Sequence, residues 1–300
     1  MRPLILLAMV YCGAAFGGSF LFMRVAAPDV PALVVAFGRV GIASLLLLLV
    51  AGPTALRAIA RDWRGFLVLG VFMTAGPFLL FAYAERSITA GMGSIINATT
   101  PLWTVIVVSV WQRQRPTAKR VAAIAIGFGG VGVIVGLDAL ALAPDAWLGA
   151  TTAIVAASLY GVGLTFARRR MSGHEPVPLA LGQLLAASIL LAPGALVSLP
   201  EARFELDSAL AVLGIATVST AVAWPVLFTI NRSVGPLATS TITFLNPIFG
   251  VLWGALFLAE ALSPSLLAGS ALVFVSLALV LELRLPAFLR AGARAGSTPE

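Results

Sequence analysis

Charged residues, histidine and cysteine are all scarce in this chain. Asp, Glu, Lys and Arg make up 10% of its 300 residues, whereas soluble globular domains carry about 25%. The single cysteine, Cys12, excludes a disulfide bond within the chain. The single histidine, His174, and the lack of paired aspartates leave metal-dependent and phosphate chemistry without ligands. We therefore expect no catalytic residue, no metal and no cofactor, and an integral membrane protein rather than a soluble enzyme.

Long apolar segments make up most of the sequence. Hydrophobic residues make up 60% of the chain. The net charge of +7 is also found in nucleic-acid-binding proteins, but these charges lie between apolar segments, so we expect no nucleic acid partner. A membrane-spanning helix needs about 20 mostly apolar residues. Ten such segments are present, at residues 3–23, 31–51, 64–84, 88–111, 121–137, 147–167, 178–199, 208–230, 234–258 and 265–283.

Basic residues between these segments fall mainly on one side of the predicted membrane. Ten spans place both termini on the same side, and 15 Lys and Arg residues lie on that side against three on the other. Loops rich in Lys and Arg stay in the cytoplasm. We therefore expect a multi-pass protein of the cell (inner) membrane, surrounded by membrane lipid, with both termini cytoplasmic.

Two halves of the chain resemble each other when one is displaced by 146 residues. Arg86 then aligns with Arg232, and Pro101 with Pro247. Each half holds five spans, an odd number, so the second half enters the membrane from the opposite face. The sequence predicts an all-α integral membrane fold of ten transmembrane helices, arranged as two inverted five-helix repeats. The predicted units are a first repeat at 1–140, a second repeat at 141–285 and a disordered cytoplasmic tail at 286–300.

The two aligned prolines are candidate hinges. A proline removes one backbone hydrogen bond and clashes with the preceding helical turn. In lipid, the freed carbonyl must find a partner inside the protein. Interruptions at matching points of two halves indicate the central site of a transporter. The alternative is that Pro101 and Pro247 are packing features, because proline is frequent in membrane helices.

Several short motifs in both halves resemble those of a known family. The motifs of the first half are Phe16-Gly17-Gly18-Ser19-Phe20, Phe37-Gly38-Arg39, Tyr83-Ala84, Ser87 and Pro101. Those of the second half are Phe244-Leu245-Asn246-Pro247, Gly254, Leu258-Ala259-Glu260 and Pro264. By these motifs the chain is similar to a drug/metabolite transporter of the EamA type, and the resemblance covers nearly its whole length. The resemblance implies a ten-helix bundle with a central cavity that exports amino acids or other small metabolites.

Arg39 is the one charged residue well inside a span. An arginine in the bilayer centre costs at least about 2.5 kcal/mol on insertion scales, so it must face the bundle, water or a carbonyl partner. One interpretation is an anchor for an anionic group such as the carboxylate of an amino acid. The other is a structural pin. Gln183, its counterpart in the second half at a displacement of 144 residues, is polar but neutral.

Other polar and aromatic side chains of the central spans are expected to line the same cavity. Asn97, Thr100 and Thr104 share one helix face by their i, i+3, i+7 spacing, and Thr243 and Asn246 share the equivalent face. The alternative is that the polar groups satisfy carbonyls freed by the prolines and that the rings fill space. The predicted cavity-lining set is Arg39, Tyr83, Asn97, Thr100, Trp103, Thr104, Tyr160, Gln183, Trp224, Thr243 and Asn246.

Two carboxylates lie at the ends of spans. Glu85 closes the third span and Glu260 the ninth, both near the predicted extracytoplasmic face. A half-buried carboxylate can titrate near neutral pH, which makes both residues candidates for proton coupling or gating. The alternative is that they are interfacial caps paired with arginine, because charges are least costly at span ends.

These features favour a secondary transporter that exports amino acids or related small metabolites by alternating access. A transporter of anionic sugar phosphates or nucleotide-sugars is an alternative, for which more intramembrane Lys and Arg than Arg39 alone would be expected. A membrane-embedded enzyme is a third hypothesis, and it lacks the required ligands. The expected partners are a small-molecule substrate and lipid, with the chain a monomer or a homodimer.

Overall fold

The computed structural model describes residues 3–113, 115–138, 145–239 and 242–280, and the regular structure in these ranges is entirely helical. The predicted tail at 286–300 lies outside them. The helices are α1 (Pro3–Ala26), α2 (Ala32–Val50), α3 (Pro53–Arg61), α4 (Trp63–Leu69), α5 (Gly76–Ala84), α6 (Ala90–Asn97), α7 (Thr100–Gln112), α8 (Ala118–Asp138), α9 (Ala146–Arg170), α10 (Pro176–Ser198), α11 (Leu206–Ala216), α12 (Ala223–Thr239), α13 (Ile242–Leu258) and α14 (Pro264–Val280).

Eight helical segments of the described ranges are long and apolar enough to cross a membrane. Three of them combine two helices each: α4 with α5, α6 with α7, and α11 with α12. Two further apolar helices, α13 and α14, have 17 residues each, fewer than the roughly 20 of a usual span. The all-helical, multi-pass class is confirmed, whereas the count of ten spans stays a prediction.

The expected boundary between the eighth and ninth spans is wrong. The sequence predicts an end at residue 230 and a new start at 234, but α12 continues through Thr239 and α13 begins at Ile242. Arg232 of α12 pairs with Glu175, which precedes α10. This ion pair accommodates a charge on a helix that continues past its apolar part. Hydropathy alone does not distinguish such an extension from the start of the next helix.

Of the two predicted proline interruptions, the first coincides with a break between helices. α6 ends at Asn97, and Pro101 is the second residue of α7. The carbonyl that Pro101 leaves without its helical donor belongs to Asn97, and it accepts a hydrogen bond from the Thr100 hydroxyl at 2.7 Å. Pro247 instead lies within α13, which is continuous through it, so the expected interruption at that proline is wrong.

Two π-helical segments interrupt other helices, and the displacement of 146 residues places Thr74 of the first on Thr220 of the second. The first, Gly70–Ala75, joins α4 to α5, and the second, Thr217–Val222, joins α11 to α12. In each segment a threonine hydroxyl, that of Thr74 or Thr220, donates to the carbonyl five residues earlier, at 3.3 Å and 2.7 Å respectively. Such segments occur frequently at functional sites.

The halves of the chain interlock through α2 and α10. These two helices pack against each other, α2 also packs on the second π segment, and α10 on the first. Outside this centre, α1 packs on α13 and α8 on α14. The α8–α14 contact depends on small residues, because a Cβ on Gly130 would lie only 2.7 Å from the carbonyl oxygen of Gly269. In each half, the second long helix (α2 or α10) therefore contacts the π segment of the other half.

Candidate functional site

Arg39 lies at the centre of this arrangement and is 4% exposed. Its Nε–H donates to the hydroxyl of Thr220 in the second π segment at 2.9 Å. Its Cζ lies 3.5 Å from the ring centroid of Phe78, which follows the first π segment. A cation over an aromatic face gains about 0.5–2 kcal/mol, the larger value where water is excluded. Arg39 is therefore held by both halves of the chain.

The two Nη groups of Arg39 remain available to a ligand. Among the described residues, Arg39 donates a hydrogen bond through its Nε–H alone. The ion pairs in the same ranges, Asp62–His174 and Glu175–Arg232, do not include Arg39. A guanidinium carries five N–H donors in a planar fork that matches a carboxylate. Four donors and a full positive charge thus face the bundle interior without an acidic partner among the described residues.

Gln183 occupies the corresponding place in the other half. It is 1% exposed, and its backbone oxygen accepts a 3.4 Å hydrogen bond from Thr74 in the first π segment. The two halves therefore each bring a polar residue of one helix to the π-segment threonine of the other half. Thr74 and Thr220 were not among the residues that the sequence predicted, although the displacement that aligns the prolines also aligns them.

Aromatic rings surround this centre. The ring of Trp224 lies 5.8 Å from that of Phe16, 6.4 Å from Phe78 and 5.6 Å from Phe228. Tyr160 is stacked on Phe81 at 6.2 Å. Phe78 and Trp224 are themselves related by the displacement of 146 residues. The structure thus brings Arg39 and Trp224 of the predicted set to the same ring, that of Phe78.

Several buried polar atoms of the described residues have no hydrogen-bond partner. Leaving such a group unpaired costs about 1–3 kcal/mol, so these atoms are where a polar ligand or water would be stabilised. Six of the seven residues concerned were predicted from sequence, and Ser219 was not. The atoms are Glu85 Oε1 and Oε2, Asn97 Oδ1, Trp103 Nε1, Gln183 Nε2 and Oε1, Ser219 Oγ, Trp224 Nε1 and Asn246 Oδ1.

The threonines around Pro101 use their hydroxyls locally. Thr100 donates to the Asn97 carbonyl at 2.7 Å, and Thr104 donates to the Thr100 carbonyl at 2.9 Å. This is the alternative that the sequence left open for them, because a hydroxyl that donates to the helix backbone has only its acceptor lone pairs left for a ligand. The Asn97 amide oxygen, by contrast, keeps both lone pairs unpaired.

The remaining predicted residues lie in different surroundings. The ring of Trp103 contacts Phe128 of α8 at 4.9 Å, so it packs beside α8. The Asn246 backbone lies against α1, since a Cβ on Gly17 would approach the Asn246 oxygen to 2.7 Å. Thr243 is half-buried and Tyr83 is 45% exposed. Of the predicted cavity residues, Tyr83 is therefore an outward-facing one in this structure.

The two predicted carboxylates meet near one end of the bundle, where α5 ends, α6 begins and α13 ends; we call it the Glu85 end. The Glu260 carboxylate accepts hydrogen bonds from the backbone N–H groups of Ala90, at 2.9 Å, and Gly91, at 3.2 Å. The carboxyl of Glu85, which follows the last residue of its span, is fully buried. Burial first, and the neighbouring Glu260 second, raise the pKa of Glu85 well above its ordinary value, while Arg24 opposes this shift.

Two shallow surface depressions lie at the opposite end, where α7 ends. One of about 310 Å³ is lined by apolar residues of α7 alone, and a second of about 370 Å³ adjoins it at Trp111. Next to the second depression, His174 Nε2 lies 3.0 Å from Asp62 Oδ2. The first depression is lined by Ile106, Val107, Val110 and Trp111, and the second by Asp62, Gly65, Trp111, Phe166, Arg170 and Met171.

Comparison with known proteins identifies the family. The model of the EamA-like transporter family matches residues 3–136 and again residues 147–282. The chain belongs to the EamA-like transporter family. The resemblance to drug/metabolite transporters is thereby confirmed, and this EamA-like protein is a membrane-embedded transporter of small molecules rather than an enzyme.

Three relatives of the EamA-like chain are similar over most of their length; two are named as transporters, and the name of the third, PecM, states no function. The threonine/homoserine exporter RhtA of Escherichia coli (strain K12) is 26% identical over 282 residues, which cover 94% of this chain and 90% of RhtA. Protein PecM of Dickeya dadantii is 26% identical over 228 residues, 74% of this chain and 75% of PecM. An uncharacterized transporter of Archaeoglobus fulgidus is 25% identical, over 75% of this chain and 79% of its own length.

A solved crystal structure of a protein shares the fold. It is 20% identical in sequence and superposes with a TM-score of 0.66, covering 94% of this chain and 98% of that one. At this level of identity the likeness concerns the arrangement of helices alone.

Proposed function

We propose that this EamA-like protein is a secondary exporter of amino acids or closely related small metabolites bearing a carboxylate. The observation that supports this is the Arg39 guanidinium, buried between the halves with its two Nη groups unused among the described residues. A charge inside the membrane indicates a functional site by default. A carboxylate is the group that a planar guanidinium fork binds best at two points.

The unpaired polar atoms favour a small zwitterion over a larger anion. A free amino acid presents an ammonium group as well as a carboxylate, and the unpaired side-chain oxygen of Gln183, on the helix that packs against α2, is an acceptor for an N–H donor. One arginine suits one carboxylate, whereas sugar phosphates carry more negative charge than Arg39 alone balances. The name of the relative RhtA, a threonine/homoserine exporter, agrees with this substrate class.

The proposal includes ten spans and two inverted repeats at 1–140 and 141–285. It places the protein in the cell (inner) membrane with both termini in the cytoplasm. The family model matches twice, once in each proposed repeat. The paired π segments and the left-handed residues Arg113 and Ala259, which end α7 and α13 and are also 146 residues apart, support the same symmetry. The excess of basic residues at the opposite end from Glu85 supports the orientation.

Alternating access in this proposal bends the protein at its irregular backbone. The break before Pro101 and the two π segments are points where helical hydrogen bonding is already altered. Pro247 remains a hinge candidate, although it lies inside a continuous helix and not at a break between helices. Transport would then exchange this arrangement, in which α6 and α13 close the Glu85 end, for one that is open there.

Uptake into everted membrane vesicles tests the proposal, with a panel of L-amino acids that begins with threonine and homoserine. We expect saturable uptake of at least one of them, lost in Arg39→Gln and partly retained in Arg39→Lys. Arg57→Gln, an equal change of charge at an exposed position of α3, is the matched control and should transport normally. Full transport by a well-expressed Arg39→Gln variant would contradict the assignment of Arg39 to the substrate site.

A further inference from the structure

The Glu85 end is closed by direct contact between α6 and α13. A Cβ added to Gly250 of α13 would overlap the side chain of Ser94 on α6, and one added to Gly91 would lie 3.3 Å from Val251. Ser94 is fully buried in this contact. Helices that approach this closely leave no path for water between them. Opening this end of the bundle requires α6 and α13 to separate.

Glu260 completes the closure as a helix cap supplied by the other half of the chain. The first N–H groups of a helix have no partner within it. In α6 the N–H groups of Ala90 and Gly91 donate to the Glu260 carboxylate, and that of Met92 donates to Thr89 Oγ1 at 3.1 Å. Ala259 takes the left-handed conformation that turns the chain back after α13. Separation of α6 from α13 would leave the N–H groups of Ala90 and Gly91 unpaired until water replaced the carboxylate.

Glu85 lies beneath the same α6–α13 contact, but its carboxyl group, unlike that of Glu260, accepts no hydrogen bond among the described residues. Glu85 is fully buried. Gly93 of α6 provides the space it occupies, because a Cβ on Gly93 would overlap Glu85 Oε1. Two charged groups face Glu85: Glu260 beyond α13, and Arg24 of α1, whose Nη1–H donates to the Glu85 backbone oxygen at 2.7 Å.

A carboxyl in this position is stable only with its proton. An ionised carboxylate that is buried and unpaired costs several kcal/mol, and it avoids that cost by binding a proton. Separating α6 from α13 would admit water and remove this penalty. The closed arrangement therefore binds a proton at Glu85 more tightly than the open one, and by linkage the proton favours the closed arrangement.

We propose that Glu85, covered by α6 and the Glu260 cap, is a proton-binding site that controls the opening of the extracytoplasmic end. The inference rests on the proposed function for its orientation alone. Acid outside the cell keeps this end closed, and a rise in external pH ionises Glu85 and favours opening. The negative charge of Glu260 strengthens proton binding at Glu85, whereas the positive charge of Arg24 weakens it, because it favours the ionised carboxylate.

Cysteine labelling measures the opening directly and needs no substrate. The reporter is Ser94→Cys in a Cys12→Ala background, labelled from the Glu85 side by a membrane-impermeant maleimide between pH 6 and pH 8. Thiol reactivity itself rises with pH, so rates are divided by those of Arg86→Cys, an exposed site at the same end. We expect the corrected rate to rise about tenfold or more across this range.

Variants at the carboxylates separate the proposal from a structural role. Glu85→Gln, which cannot ionise, should give slow labelling at every pH, whereas Glu85→Asp should keep a pH dependence. Glu201→Gln, an exposed carboxylate after α10, is the matched control and should behave as the parent chain does. Glu260→Gln should label faster at every pH but keep its pH dependence, because the cap is weakened and Glu85 remains.

Two results would overturn the inference. One is a corrected labelling rate of the parent chain that does not change with pH, which needs no Glu85 variant to interpret. The other is a Glu85→Gln chain with the parent's pH profile. Arg39→Gln should keep the pH-dependent labelling, so failure of the substrate assignment and failure of the proton site are distinguishable.

Discussion

The cap that Glu260 places on α6 allows a prediction whose size follows from the structure. Glu260→Ala removes both acceptors from the N–H groups of Ala90 and Gly91. Hydrogen bonds to a charged group contribute about 1.5–3 kcal/mol each, and a carboxylate at a helix N-terminus adds about 0.3–1 kcal/mol. Water that enters at the half-buried loop recovers part of this energy. We therefore expect a loss of about 2–4 kcal/mol in the free energy of unfolding.

Unfolding in mixed micelles, followed by circular dichroism as the denaturing detergent is increased, measures this loss. Glu201→Ala serves as the control, because Glu201 is exposed and should change the stability by less than about 0.5 kcal/mol. Hydrogen exchange of the peptide around Ala90 provides a local measurement and should become faster in Glu260→Ala alone. Equal stability of the two variants, with unchanged exchange at Ala90, would refute the capping argument.

Two further predictions concern topology and the π segments. Reporter fusions at Gly296 and in the loop at Asp145 should lie on opposite sides of the membrane, and reports from the same side would contradict the count of ten spans. Thr220→Val removes the acceptor of the Arg39 Nε–H and should weaken transport more than Thr74→Val, whose hydroxyl contacts backbone carbonyls. Equal losses in vesicle uptake would show that Thr220 acts through helix shape rather than through Arg39.

The sequence was most informative where one residue type has a single physical consequence. Segments of apolar residues interrupted by arginine specify a multi-pass membrane protein, since lipid tolerates no other composition. Arg39 could be singled out because a charge inside a span is costly wherever the span packs. Pro101 predicted a helix break, since proline cannot donate the hydrogen bond, and α7 begins one residue before it.

The same reasoning failed where the outcome depended on neighbouring helices. Pro247 has the same chemistry as Pro101, yet α13 continues through it. The π segments at Thr74 and Thr220 have no composition of their own, so only their common displacement of 146 residues could have indicated them. Tyr83 lies on a span that is apolar on every side, and the sequence offered no means of deciding that it points outward.

What the sequence determined by itself is the class of the protein, its apolar spans and the identity of the residues that are costly to bury. What only the tertiary structure decided is their partners: Arg39 contacts Thr220 across 181 residues, and Glu260 caps Ala90 across 170. The physical reason is that lipid and protein interior are equally apolar. A membrane helix therefore carries little periodicity to show which of its faces is inward, and the rotation of each helix is settled by close packing with the others.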